Sequence, residues 1–470
     1  MKNSVVLFCL IFISCSIFSQ TSVQGGIYNN TTWTLANSPY TLTGSVVVFP
    51  GKTLTIEPGV EVRVTADNTF NTGNMLYLEV RGTLVAEGTL NFPIKFTSTQ
   101  ANPSSYNWLG IKILGSQGGT FSMDHFELTN SFNGLNNDVA EVGVTHTFND
   151  CIFKDNNYGV QLNANNVYNY CTFNRNGIGQ AAQYVYGSIT ANNTVFTNNI
   201  CAFTWAYSAV SINNCNFSGN MNTINGVSGT ITNCVFDNND NGLYGCSSLT
   251  IDNCTFTNND IAINELSFGL VKNSFFSGND LALLITQNTS VIDNVIEANG
   301  VGIRVNGLNP SSTFINNNSI CFNTQYNIEN GTNQNFSMAL NCFCSGDSTV
   351  VEDLILDGYD NITRGLVNYA LYDDSCNVMQ AFIQKINLGE NYNLSSELVE
   401  QDDFKLNQFG DELEVHSVLA KQVKLFDLTG KELMHTRIEN GVGKLNSRNL
   451  SAGIYVLQTE KGQSIKWLKH

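Results

Sequence analysis

Between residues 149 and 323 one short pattern returns nine times: an apolar residue with an asparagine three places later. Its clearest copies are NDCIFKDN (149–156), NYCTFNRN (169–176), NNTVFTNN (192–199), NNCNFSGN (213–220), TNCVFDNN (232–239), DNCTFTNN (252–259) and KNSFFSGN (272–279). Looser copies follow at VIEAN (295–299) and NNSICFN (317–323). The apolar column runs Phe153, Phe173, Phe196, Phe217, Phe236, Phe256, Phe276, Ile296 and Ile320. Its companion column is Asn156, Asn176, Asn199, Asn220, Asn239, Asn259, Asn279, Asn299 and Asn323. The steps vary from 19 to 24 residues, yet the offset of three never changes.

Within a copy, residues alternate as in a strand: Ile212 inward, Asn213 outward, then beyond a bend Cys215 inward, Asn216 outward and Phe217 inward. No helical stripe of period 3.6 competes. A repeat of this length built from short strands is a parallel β-solenoid, each copy one coil. Stacked coils place phenylalanine on phenylalanine and amide on amide. An asparagine column can donate to one neighbour and accept from the other, so these residues belong to the scaffold. Cys151, Cys171, Cys215, Cys234 and Cys254 form a further inward column, with Thr194 and Ser274 as substitutes, which reads as buried free thiols. Cys321, Cys342, Cys344 and Cys376 lie outside it; their position leaves room for a bridge between Cys376 and one of the other three, and the sequence does not fix their pairing.

Composition limits the partners. Only 13% of residues are charged and the net charge is −17, which disfavours nucleic acid and anionic membrane. Residues 1–19 read as a secretory signal peptide: Lys2, then an apolar run from Val5 to Ile13, then small residues up to Ser19. No later run is long enough for a transmembrane segment.

These repeats resemble those of right-handed parallel β-helix proteins of the pectin-lyase-like type secreted by Bacteroidota. The stretches 29–64, 78–98 and WLGIKIL (108–114) are similar to the entry half of such helices, with Pro50-Gly51 and Pro58-Gly59 turns between β-rich runs. LILDGYDNITRGLVNYA (354–370) resembles a last coil. The tail, with LFDLTGKEL, LSAGIYVLQ and a closing KWLKH, resembles the C-terminal sorting domain of type IX secretion. That resemblance implies handling by the type IX translocon and its sorting peptidase, and a destination outside a Gram-negative cell. The expected layout is an all-β chain. It has an N-terminal cap and first coils over 20–115, laddered coils over 116–346, and a final coil and cap over 347–390. A linker over 391–403 and a small β-sandwich over 404–470 complete it.

Chemistry is sparse. Phosphate loops, zinc spacings and nucleophile elbows are missing from the sequence. His125 holds the coil place that Asn214 and Asn233 hold elsewhere, so it reads as scaffold; His146 is the other histidine outside the tail. Asp240, Asp260 and Asp280 each follow the asparagine column by one residue, and three stacked carboxylates suit either hydration or Ca²⁺. Asp252, Lys272 and Asp293 read as an outward acid–base–acid column. This suits a polysaccharide lyase or glycoside hydrolase, or else a surface charge ladder. With long outward faces of Asn, Thr and Ser and with Tyr184, Tyr186, Tyr207 and Tyr244, the favoured expectation is a non-catalytic glycan-binding or adhesion-like surface protein, with no cofactor. A lyase or hydrolase and a purely structural surface protein are the alternatives.

Overall fold

The structure is a computed structural model. It describes residues 20–369 except 67–71, 182–186, 205–208 and 308–312, then Tyr372 and Cys376, and beyond residue 404 chiefly the strands of the tail. The signal peptide and the linker expected over 391–403 lie outside the described residues. Two compact units divide the chain, 1–385 and 386–470. No helix among the described residues is long and apolar enough to cross a membrane.

The first unit is a parallel β-helix. One coil shows how it is made. The strands Val210–Asn213, Asn216–Ser218 and Asn222–Asn225 form its three sides, each pairing in parallel with the matching strand of the coils before and after. At the first corner Asn214 takes φ 54°, and Asn233 and Asn253 repeat this in the next coils at 56° and 55°. Asparagine tolerates this left-handed backbone better than most residues. That is why the corners of the repeat read as loop. The first side forms a four-stranded sheet in the early coils and a nine-stranded sheet from Thr145–Asn149 onward, and the other two sides merge in one sheet of 27 strands.

The asparagine column is the ladder the sequence implies, with every polar atom used. Asn220 Nδ2 donates to Phe196 O at 2.9 Å and to Asn239 Oδ1 at 3.0 Å, and that same oxygen accepts the Asn220 backbone N–H at 2.9 Å. The ladder starts on Ser131, which donates from both N and Oγ to Asn156 Oδ1, and ends where Asn323 Nδ2 donates to Asn327 Oδ1. Inside it the rings of Phe217, Phe236 and Phe256 stack nearly parallel at 4.7 and 4.6 Å.

The cysteine column is inward, buried and unbridged, and Cys201 and Cys246 are two more buried cysteines outside any disulfide. Past Ser274 the same slot changes chemistry. Asn294, Asn318 and Asn341 continue it as a second amide ladder, Asn294 Nδ2 donating to Asn318 Oδ1 at 3.0 Å and Asn318 Nδ2 to Asn341 Oδ1 at 2.9 Å. Burial is the main cause that pushes the Cys151, Cys234 and Cys246 thiols above their ordinary range. Their raised folded-state pKa gives a signed expectation. Their contribution is intact below the unfolded thiol value, near pH 9. Above it the unfolded chain sheds protons that the folded chain keeps. Stability then falls by about 1.4 kcal/mol per pH unit for each thiol. Urea unfolding between about pH 7 and pH 10 measures it, and alkylation of the denatured, unreduced mature chain should count seven thiols.

Two disulfides hold the far end, Cys342–Cys376 and Cys321–Cys344, which settles the pairing that the sequence left open. The last coil is short. Ile355–Leu356 pairs with Ile328 and Glu329, Val367–Asn368 pairs with Phe336–Ser337, and a five-residue helix, Ser348–Glu352, joins the short 3-10 turns Leu35–Asn37 and Gly115–Gln117 as a departure from an all-β layout. The tail unit is antiparallel. A three-stranded sheet (Lys405–Phe409, Glu412–His416, Val442–Asn446) and a four-stranded sheet of Gln422–Phe426, Glu432–Arg437, Gly453–Thr459 and Ser464–Lys469 enclose Leu413, Val415, Val423, Leu425, Leu445, Tyr455 and Leu457. Residues 427–431 fall outside the described residues, although the strands that flank them pair.

Candidate functional site

Parallel register decides which side chains of successive coils meet, and it divides the acid–base–acid column. Asp252 lies opposite Lys272 and their side chains pair at 3.0 Å, but the residue opposite Lys272 in the next coil is Ile292. Asp293 stands one place further on, at a corner with φ 56°, in the column of Asn253 and Asn273. The physical reason is the bend: the strand Ser290–Ile292 ends a residue before the acid, so Asp293 no longer alternates with it. Asp252 and Lys272 instead prolong an outer polar ladder of Asn149, Asn169, Asn192, Asn213 and Thr232, in which Asn192 Nδ2 donates to Asn169 Oδ1 at 3.0 Å and Thr232 Oγ1 to Asn213 Oδ1 at 3.0 Å. A half-exposed pair of this kind contributes about 0–1 kcal/mol. Lys272→Ala should therefore move the unfolding midpoint by no more than that, read by urea titration.

Asp240, Asp260 and Asp280 follow the amide ladder as the spacing implies, and all three are exposed. Their backbones pair coil to coil, Ile261 N–H donating to Asp240 O and Leu281 N–H to Asp260 O. Their carboxylates do not gather within 4.8 Å of one another; among the described residues that closeness is reached by three sulfurs, of Cys321, Cys344 and Cys376. Tyr244 is exposed, while Tyr184, Tyr186 and Tyr207 lie outside the described residues.

A groove the sequence did not mark opens elsewhere, on the first side of the early coils. Its volume is about 470 Å³ and its lining includes Glu87, Phe121, Asp124, His125, Thr145 and His146. It lies where that side changes sheet. The strand Thr120–Asp124 ends the four-stranded sheet and Thr145–Asn149 begins the nine-stranded one. Across this seam the backbone N–H of Asn149 is bound by a side chain, Asp124 Oδ1 at 2.6 Å, and Asp124 Oδ2 accepts from Asn149 Nδ2 at 3.1 Å.

His125 does take the corner place, with φ 47°, and Asp150 follows it in the next coil at φ 50°. The corner also aims its imidazole into a charged setting: Nδ1 lies 3.3 Å from Asp124 Oδ2 and Nε2 lies 3.3 Å from Asp150 Oδ2. His146 meets Glu141 Oε2 at 2.5 Å through Nε2, and its ring stacks on Phe121 with centroids 4.4 Å apart. Ser122 Oγ donates to Glu87 Oε1. The groove thus offers an aromatic wall, exposed hydroxyls and carboxylates, and neither Lys nor Arg lines it. Both imidazoles and both carboxylates that line it already have partners. Such a site holds a hydroxyl-rich ligand readily and leaves few groups free for proton transfer. The one signal in the sequence was the fall of both non-tail histidines within MDHFEL and VTHTFND.

Comparison with known proteins agrees with this architecture. No curated protein matches the chain. Among solved structures, the mannuronan C-5 epimerase AlgE4 A-module of Azotobacter vinelandii is similar at 16% identity and a TM-score of 0.40, over 69% of this chain and 91% of that one. Tailspike protein 3 of bacteriophage CBA120 is similar at 9% identity and a TM-score of 0.32, over 95% of this chain and 65% of that one. Residues 392–470 match the secretion system C-terminal sorting domain, which implies delivery to the cell surface or medium of a Gram-negative bacterium by the type IX machinery. Residues 25–338 match the model of the pectate-lyase like beta helix domain, and the chain belongs to that family.

Proposed function

We propose that this exported β-helix protein binds glycan without transforming it, and that the groove at the sheet seam is the binding site. The observation that carries the reading is the pairing of an aromatic wall, Phe121 on His146, with a hydroxyl- and carboxylate-rich floor in a groove of about 470 Å³. Sugar rings present an apolar face and a rim of hydroxyls, and that wall and floor complement both. Acidic lining with no lining cation favours neutral glycans over uronates, whose carboxylates would meet Glu87 and Asp124. A lyase or hydrolase centred on Asp252, Lys272 and Asp293 has less support, because Asp293 is out of register with the other two.

The mature chain on a glycan array, beside an ultraviolet assay for unsaturated products over a polyuronate panel, tests the proposal. Binding to one or more neutral glycans, weakened at least about tenfold in Phe121→Ala, is the expected outcome. Product formation would replace the binding role with a catalytic one, and silence in both assays would favour a purely structural surface protein.

A further inference from the structure

The four cysteines at the far end of the β-helix are not two isolated bridges. Ser319 is opposite Cys342, so two places on, Cys344 falls beside Cys321 in the next coil, and Cys376 reaches the same spot from beyond the last coil. Cys376 Sγ, bonded to Cys342, also lies 3.5 Å from Cys321 Sγ and 3.1 Å from Cys344 Sγ. The sulfurs of Cys321, Cys344 and Cys376 all fall within 4.8 Å of one another. Cys321 and Cys342 are buried and the other two half-buried. The rings of Tyr369 and Tyr372 pack around Phe343, between Cys342 and Cys344.

Four thiolates around one Zn²⁺ sit about 2.3 Å from the metal, which places the sulfurs roughly 3.8 Å apart. The contacts of Cys376 with Cys321 and Cys344 are already close to that spacing, whereas Cys342 Sγ stands outside the set gathered within 4.8 Å and joins it by a turn of its side chain. We propose that, before the bridges form, these four residues make a tetrathiolate site for a soft divalent cation, Zn²⁺ in the first instance. Register supplies Cys321, Cys342 and Cys344 from adjacent coils, and the metal draws in Cys376. The site thereby fastens the end of the β-helix in the reduced chain as the two disulfides fasten it in the oxidised one. Binding converts four thiols to thiolates and releases up to four protons. It requires no electron transfer. The seven other thiols lie in slots that seat one sulfur per coil, and none of them belongs to a gathered set among the described residues.

The test uses the full mature chain, refolded anaerobically with a non-thiol phosphine reductant, then titrated with Co²⁺ and with Zn²⁺. The expected result is one Co²⁺ per chain with thiolate charge-transfer absorption and tetrahedral d–d bands. One equivalent of Zn²⁺ displaces it, and the thermal midpoint rises. Cys376→Ser should weaken Zn²⁺ affinity at least about tenfold, whereas Cys246→Ser should leave it unchanged. Cys376 follows the last coil, so circular dichroism of that variant distinguishes loss of the site from loss of the fold. Absence of a thiolate band, or a band that survives in Cys376→Ser, overturns the proposal. Neither result bears on the glycan groove, which lies in other coils.

Discussion

Asn239→Ala should lower the stability of the β-helix by about 2–6 kcal/mol, far more than its size suggests. The side chain has four hydrogen bonds and no exposure to spare. Its Oδ1 accepts the Asn220 backbone N–H at 2.9 Å and Asn220 Nδ2 at 3.0 Å, while its Nδ2 donates to Phe217 O at 3.1 Å and Asn259 Oδ1 at 2.9 Å. Alanine leaves two N–H groups of Asn220 with no acceptor in a buried setting, each at a cost of about 1–3 kcal/mol. Thr230→Ala, on the exposed outer face of the same coil, is the control and should stay within about 0.5 kcal/mol. Urea titration of both by circular dichroism decides the matter. Equal midpoints would mean that the ladder does not stabilise the fold.

The second large effect is expected at Phe236→Ala, about 3–5 kcal/mol. Phe236 is fully buried, with a ring stacked on each side. Deleting it leaves a cavity that neither neighbour can fill, since Phe217 and Phe256 are held in their own coils by the register of their strands. Each coil touches chiefly its immediate neighbours, so the loss should remain local. Amide hydrogen exchange should rise in the coils that carry Phe217, Phe236 and Phe256 and change little around Leu42, Val62 and Phe96. Uniform acceleration along the helix would contradict a nearest-neighbour account. Phe236→Leu, which keeps most of the volume, should lose markedly less.

The two effects differ in kind. The phenylalanine column contributes by excluding water. The asparagine column contributes because any break in it strands buried polar groups. The cysteine slot is tolerant: it accepts Thr194 and Ser274, and then Asn294, Asn318 and Asn341 once three amides in succession satisfy one another. This change is present in the sequence but hidden, because the looser copies keep the apolar column at Ile296 and Ile320 and put asparagine where the cysteine stood.

The charged residues were harder to place. Asp252 and Lys272 do meet, being at the same strand position in successive coils of equal length. Asp293 falls one place beyond a strand that stops at Ile292, and a shift of one residue at a left-handed corner sends a side chain elsewhere. The groove was out of reach for a related reason. Thr83 pairs with Thr120 and Glu87 with Asp124, and Asp124 in turn binds the backbone of Asn149. Neither interval matches the period of the later coils, so no column in the sequence aligns Glu87, Asp124 and His146.

The period alone determined that this chain stacks into coils, which residues face inward, and that amide sits upon amide, because identical short-range patterns in parallel register have one way to bury their apolar side. The strand and turn pattern of the tail implied a small β domain, and its resemblance to sorting domains, carried by LFDLTGKEL, LSAGIYVLQ and KWLKH, implied export. Tertiary structure alone decided where the first side changes sheet, which imidazole faces which carboxylate, and that the sulfurs of Cys321, Cys344 and Cys376, from two adjacent coils and from beyond the last one, share one spot. Those outcomes depend on loop lengths and on which N–H meets which oxygen across coils, and neither is encoded in a local pattern.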